Sequence, residues 1–204
     1  MRAYGRDATI VDGLVEGSAG LLRTRVHEAC IAAGVRCDDV VPAATSLVVM
    51  HGARDAQSVR RLLADFSVAT SPADNNIAAP IEIPVRYDGG DLADVAAACS
   101  LSVDEVIALH VTADYRVSFC GFAPGFAYLI GLPPALHLAR RASPRTKVPA
   151  GSVAIAAEYS SVYPRESPGG WHLLGTTTAT LWDVSQDPPA LLQPGQRVRF
   201  VRVT

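Results

Sequence analysis

Apolar and polar positions alternate along this chain in short runs, and the runs change character near residue 80. In the first part, Ala8–Val11 predicts a short strand. Leu21, Leu22, Val26, Cys30 and Ile31 recur at helical spacing, and Gly34 stands where a helix C-terminal glycine belongs. Val35–Val41 reads as a strand ended by Pro42, and Ser46–His51 as another bounded by Gly52. Val59, Leu62, Leu63 and Phe66 share one face of a second helix. Strand, helix, strand, strand, helix predicts a small α+β domain over residues 1–70.

Residues 71–80 carry Ser71, Pro72, Asp74, Asn75, Asn76 and Pro80 and predict a linker. The second domain, 81–204, opens with Ile81, Ile83, Val85 and Tyr87 alternating on one strand face. Asp88-Gly89-Gly90 turns the chain into a short helix at Asp91–Ala98. Ser102 and Glu105 form a capping box for a further helix reaching about His110. After Tyr115 the period is that of strands. Runs at Ser152–Ala157, Trp171–Gly175, Leu181–Val184 and Arg197–Val203 are separated by Gly and Pro turns, which predicts a β-barrel or sandwich. Arg197, Arg199 and Arg202 on the last run read as a charged sheet edge.

Composition narrows the class. Of 204 residues 49% are apolar and 19% charged, enough to bury a core. Lys plus Arg is 18 and Asp plus Glu is 20, a net charge of −2, which gives no electrostatic footprint for nucleic acid. Val117–Ala139 carries no Asp, Glu, Lys or Arg, yet six Gly and Pro residues interrupt it, which argues against a membrane span. The acidic start (Asp7, Asp12, Glu16) lacks the apolar stretch of a signal peptide. Cys30, Cys37, Cys99 and Cys120 show no C-x-x-C spacing, so reduced thiols and a cytoplasmic location are expected, with no bound metal. No P-loop, H-E-x-x-H or G-x-S-x-G pattern occurs.

The distinctive residues form three ordered motifs. The first runs Cys120-Gly121-Phe122-Ala123-Pro124-Gly125-Phe126-Ala127-Tyr128-Leu129. The second is Ser143-Pro144-Arg145-Thr146-Lys147-Val148-Pro149-Ala150-Gly151-Ser152. The third comprises Tyr163-Pro164, Ser167-Pro168-Gly169-Gly170-Trp171 and Leu174-Gly175-Thr176-Thr177. Together they closely resemble the family variously called the 5-oxoprolinase B-type subunit, allophanate hydrolase subunit 1 and the sporulation kinase inhibitor KipI, over roughly residues 80–204. The resemblance implies a cyclophilin-like β-barrel behind the small α+β domain. It implies a carboxyltransferase-like partner, the C-type subunit of 5-oxoprolinase or allophanate hydrolase subunit 2, and a third, A-type subunit. It also implies an ATP-dependent cyclic amide hydrolase that opens 5-oxo-L-proline to L-glutamate. ATP, with Mg, would then bind unconventionally or on a partner. A KipI-like inhibitor of a sensor histidine kinase and a component of a urea carboxylase-type complex are the alternatives within the family. Prolyl isomerisation follows from fold analogy alone.

Each motif residue has two readings. Gly121, Pro124 and Gly125 fix a tight turn and let backbone approach a ligand or a neighbouring chain. Phe122 and Phe126 either pack the core or stack on a ligand, and Tyr128 adds a hydroxyl. Arg145 and Lys147 share a strand face and either hold a carboxylate or belong to a solvated basic face with Arg140 and Arg141. Gly151 and Ser152 follow a proline with free N–H groups suited to an oxyanion, though Ser152 has no adjacent base. His110 either satisfies its helix end or serves acid–base chemistry. Gly170 and Trp171 form a turn that delivers a plug or interface anchor, near Tyr163. The resemblance thus nominates His110, Arg145 and Ser152 as catalytic. For substrate contact it nominates Phe122, Pro124, Gly125, Phe126, Tyr128, Lys147, Gly151, Tyr163, Gly170 and Trp171. The chain departs from the family's pattern at Ala157–Ser161 and at Thr176–Thr178, where glycines, an amide and an arginine are replaced; both bear on substrate identity.

Overall fold

The computed structural model describes residues 1–65 and 79–204. The chain divides into two compact units, Met1–Asn75 and Asn76–Thr204. Residues 71–78 of the expected linker, and Phe66, lie outside the described residues.

The first unit contains β1 (Arg2–Ala3), β2 (Ala8–Asp12), α1 (Ser18–Ala32), β3 (Asp39–Pro42), β4 (Ser46–Met50) and α2 (Ala56–Asp65). Its antiparallel sheet runs β1-β2-β4-β3. Gly34, at φ +64°, stops α1: the Val35 N–H donates to Cys30 O at 2.9 Å and the Gly34 N–H to Ile31 O at 3.1 Å. That stop occupies Val35, so β3 begins at Asp39 rather than at Val35 as the pattern suggests. Leu47 and Val49 of β4 alternate inward onto Val26, Cys30 and Val59.

The second unit is built from β5 (Ile81–Val85), α3 (Leu92–Ala98), α4 (Val103–Thr112), β6 (Tyr115–Cys120), β7 (Ala127–Ile130), β8 (Arg145–Val148), β9 (Ser152–Ala156), β10 (Tyr159–Val162), β11 (Ser167–Gly169), β12 (His172–Thr176) and β13 (Arg197–Arg202). Seven strands pair in the order β12-β9-β10-β7-β6-β13-β5. Arg86, just past β5, then meets Thr176 of β12 through two 2.8 Å backbone hydrogen bonds. The two ends of the sheet are thereby joined into a nearly closed barrel, so the fold is α+β and mainly β. The seam depends on Gly175, where a Cβ would stand 2.2 Å from Arg86 O.

β9 is buried along its whole length. Val153 and Ile155 point into the main core with Val117, Leu129, Leu174 and Phe200, beneath Val95 and Val106 of the two helices. Ala154 and Ala156 face the other way, toward a second cluster of Phe126, Val148, Tyr163 and Trp171. Burial on both faces explains the unbroken apolar run. The small outer residues leave room for large rings.

Two further expectations are overturned. Leu181–Val184 is not a strand; only Trp182 bridges, to Ala190, because Asp183 turns the chain by accepting from the Ser185 N–H at 2.9 Å. β13 is not an edge, since β6 and β5 flank it. Its arginines face acids across the surface instead: Arg197–Asp114 at 3.5 Å, Arg199–Glu82 at 3.9 Å and Arg202–Asp104 at 3.6 Å.

Candidate functional site: an aromatic groove beside the barrel

The first motif is the turn from β6 to β7. The Gly121 N–H donates to Phe126 O at 3.1 Å and the Phe126 N–H to Ala123 O at 3.0 Å. Gly125, at φ +81°, seats the turn on residues 181–182: a Cβ there would lie 2.9 Å from both Leu181 O and the Trp182 Cβ. Pro124 and Gly125 therefore shape and dock the turn. Phe122 sits at φ +67° and is 58% exposed. Left-handed backbone costs a bulky residue of order 1–3 kcal/mol. A large apolar side chain is thus held out to solvent by a strained backbone.

Phe126 is the hub of the site. Phe122, Tyr128, Tyr163 and Trp171 each meet it edge to face, with ring centroids 5.1–5.6 Å away. Tyr128 also stacks on Phe119 at 4.2 Å. The Trp171 backbone N–H donates to the Tyr163 hydroxyl. Gly169 admits that hydroxyl, for a Cβ there would lie 2.2 Å from it. The result is a groove of about 260 Å³ lined by these rings, Pro144, Pro168, Gly169, Gly170 and Arg140. Burial raises the pKa of the Tyr128 and Tyr163 phenols, and the Arg140 charge pulls against it at both. Both hydroxyls are therefore neutral donors near neutral pH.

One wall rests on a buried ion cluster. Asp91 is 1% exposed. Its Oδ1 accepts from Arg141 Nη1 at 2.7 Å and Arg145 Nη2 at 2.6 Å, and its Oδ2 from the Leu173 N–H at 2.8 Å. Burial alone would raise this carboxyl's pKa. The hydrogen bonds from Arg145 and Leu173 and the charges of both arginines outweigh burial and hold it below the usual range. Arg145 does bind a carboxylate, but it belongs to Asp91. Lys147 is exposed and pairs with Glu166 at 3.3 Å.

The remaining nominated residues lie elsewhere. His110 is fully buried within the barrel and stacks on Phe200 at 4.5 Å. The Tyr87 hydroxyl lies 2.7 Å from Nδ1 and Ser160 Oγ 3.0 Å from Nε2. Because Ser160 Oγ donates to Ala154 O at 3.3 Å, it accepts from Nε2–H, and Tyr87 donates to Nδ1. Burial pushes the His110 pKa down to about 3, so the ring is neutral. Ser152 is buried and donates to Pro149 O at 2.8 Å. Gly151 pins the end of β12, its carbonyl accepting from the Thr177 N–H at 2.8 Å. The structure thus brings together Phe122, Phe126, Tyr128, Tyr163, Gly170 and Trp171. It does not bring His110, Arg145, Ser152, Lys147, Gly151, Pro124 or Gly125 into the groove lining.

Sequence reasoning missed Asp91 and Arg140. Asp91 reads as a helix start, yet it makes no side-chain cap bond because its carboxylate serves the arginines. Arg140 and Arg141 are adjacent, yet Arg141 turns to Asp91 while Arg140 lines the groove. That adjacency was the available signal. The altered segment at residues 157–161 supplies Ser160 to His110 and Ser161, whose hydroxyl donates to Ala127 O at 2.7 Å. Among the described residues, no group of three or more His, Cys, Asp or Glu could hold a metal ion. No described helix is long and apolar enough to cross a membrane.

Comparison with known proteins adds a lineage. The family model "Carboxyltransferase domain, subdomain C and D" matches residues 7–192. Two relatives named as the B-type subunit of 5-oxoprolinase align well. The Escherichia coli O157:H7 protein is 54% identical over 124 residues, 59% of this chain and 57% of that protein. The Haemophilus influenzae protein is 48% identical over 124 residues, 59% of this chain and 58% of its own length. The aligned stretch thus spans little more than half of each relative. The crystal structure of TTHA0988 superposes with a TM-score of 0.82 at 37% identity, covering 97% of this chain and 40% of that one. Kluyveromyces lactis urea amidolyase shares the fold at 18% identity, with a TM-score of 0.77 over all of this chain and 15% of that one.

Proposed function

The chain belongs to the carboxyltransferase-domain family of subdomains C and D, and from that premise we propose that it is the B-type subunit of an ATP-dependent 5-oxoprolinase. It acts with a carboxyltransferase-like partner and a third protein to open the lactam of 5-oxo-L-proline to L-glutamate. The observation that carries this reading is convergence. Residues from all three motifs line one groove, although they lie as far apart as Phe122 and Trp171 in sequence. The groove suits a small ring. Rings and prolines form its walls, and the Tyr128 hydroxyl and the backbone around Gly169–Gly170 offer polar contacts for an amide.

The groove offers little to hold a nucleoside triphosphate. Arg140 is the one side-chain cation among its described lining residues, too little for a polyanion. ATP and Mg belong, in this reading, on a partner protein. The groove side chains would orient the lactam and exclude water. His110, Arg145 and Ser152 would support the scaffold from outside the lining.

The test is reconstitution of the chain with its two partners. ATP hydrolysis that depends on 5-oxo-L-proline, and appears only in the mixture, is expected. An intact complex whose ATP turnover ignores 5-oxo-L-proline contradicts the reading. Suppression of a sensor histidine kinase's autophosphorylation by the chain alone would favour the KipI-like role instead.

A further inference from the structure

We propose that Arg140 is the carboxylate anchor of the aromatic groove, which makes the groove a site for small flat rings or cyclic amides bearing a single carboxylate. The inference rests on the proposed function only for naming 5-oxo-L-proline as the ring.

Four cations cluster between residues 140 and 147, and three already have carboxylates. Arg141 and Arg145 hold Asp91, and Lys147 holds Glu166. Arg140 is exposed, lines the groove, and forms no ion pair among the described residues. Its charge pulls down the pKa of the Tyr128 and Tyr163 phenols, which line the same groove.

Its position is built rather than incidental. The Arg141 N–H donates to Gly170 O at 2.8 Å, and His172 Nε2 donates to Ala139 O at 2.9 Å. The residues on both sides of Arg140 are therefore fastened to the 170–172 segment. Arg141 is also fixed inward by Asp91. Arg140, its immediate neighbour, lines the groove together with the rings. A guanidinium there can donate two parallel hydrogen bonds to a carboxylate, a geometry that a point charge does not enforce. Rings below and one cation at the rim describe an amphiphilic ligand with a flat body and one negative end.

The test is equilibrium binding to the full chain, using 5-oxo-L-proline, its uncharged carboxamide, 2-pyrrolidinone, and benzoate as an unrelated ring acid. Wild type should bind the acid about tenfold or more tightly than the carboxamide. Arg140→Gln should erase that preference, Arg140→Lys should keep part of it, and neither should shift the thermal midpoint of this exposed position. Arg60→Gln, an exposed change in the other unit, should leave binding unchanged. Equal binding of acid and amide by wild type, an undiminished preference in Arg140→Gln, or no ring acid bound up to about 10 mM would each overturn the inference. Arg140-dependent binding of benzoate without 5-oxo-L-proline would uphold it while removing the 5-oxoprolinase reading. Unaltered 5-oxo-L-proline-dependent turnover by a complex carrying Arg140→Gln would do the reverse.

Discussion

Phe122 and Asp91 show how single residues are placed for the groove at a cost to themselves. Phe122 holds a left-handed backbone that glycine would adopt freely, and it keeps most of its ring in solvent. Phe122→Gly would relieve roughly 1–2 kcal/mol of backbone strain. It would lose edge contacts to Phe126 and Tyr163 worth about 0.5–1.5 kcal/mol each. Denaturant unfolding should therefore change by no more than about 2 kcal/mol, while ring-ligand binding weakens severalfold; a larger stability loss would show Phe122 to be a core residue. Asp91→Asn leaves Arg141 and Arg145 without their carboxylate. Removing one partner of a buried pair costs ~3–5 kcal/mol, and here about 2–4, because the arginine side chains keep 31% and 29% exposure. The Asp91 pKa is lowered on folding, so its contribution is complete above the unfolded value near 3.9 and is lost as pH falls through the folded value. Unfolding free energy measured between about pH 5 and 2 should fall in wild type more steeply than in Asp91→Asn. Parallel curves would remove the assignment.

At the scale of elements, the decisive feature is the closure of the sheet at Arg86 and Thr176. A methyl group at Gly175 would meet Arg86 O at 2.2 Å and part the seam. Gly175→Ala should destabilise the second unit by more than ~2 kcal/mol. Gly90→Ala, with nothing within 4 Å, should cost little; equal effects in the two would contradict closure at this point. The local elements were legible in the sequence because their signals are local. The Ser102–Glu105 box forms both its bonds, at 2.7 Å and 3.2 Å, and β9 is the apolar run that the pattern marks. Leu181–Val184 misled because its apolar residues pack one by one around a turn. β13 misled because its neighbours, β5 and β6, are separated from it by a long stretch of chain, and pairing between distant segments leaves no mark on a strand's own composition.

Across the whole molecule the same limit governs the site. The six groove residues foreseen from their motifs are aromatic or glycine, types whose chemistry announces a turn or a packed ring. Asp91 and Arg140 escaped because their meaning lies in partners distant along the chain, as with Asp91 and Arg141, 50 residues apart. His110 and Ser152 carry reactive groups, and both are buried with their polar atoms held in local hydrogen bonds. Fold and family are thus firm, and the 5-oxoprolinase role depends on whether the groove is a ligand site. The most direct measurement is a 1H–15N NMR titration of the full chain with 5-oxo-L-proline. The account predicts saturable shifts centred on Gly169, Gly170, Trp171 and the Arg140 side chain, with the first unit unmoved. Shifts centred elsewhere, or none up to about 10 mM ligand, would contradict it.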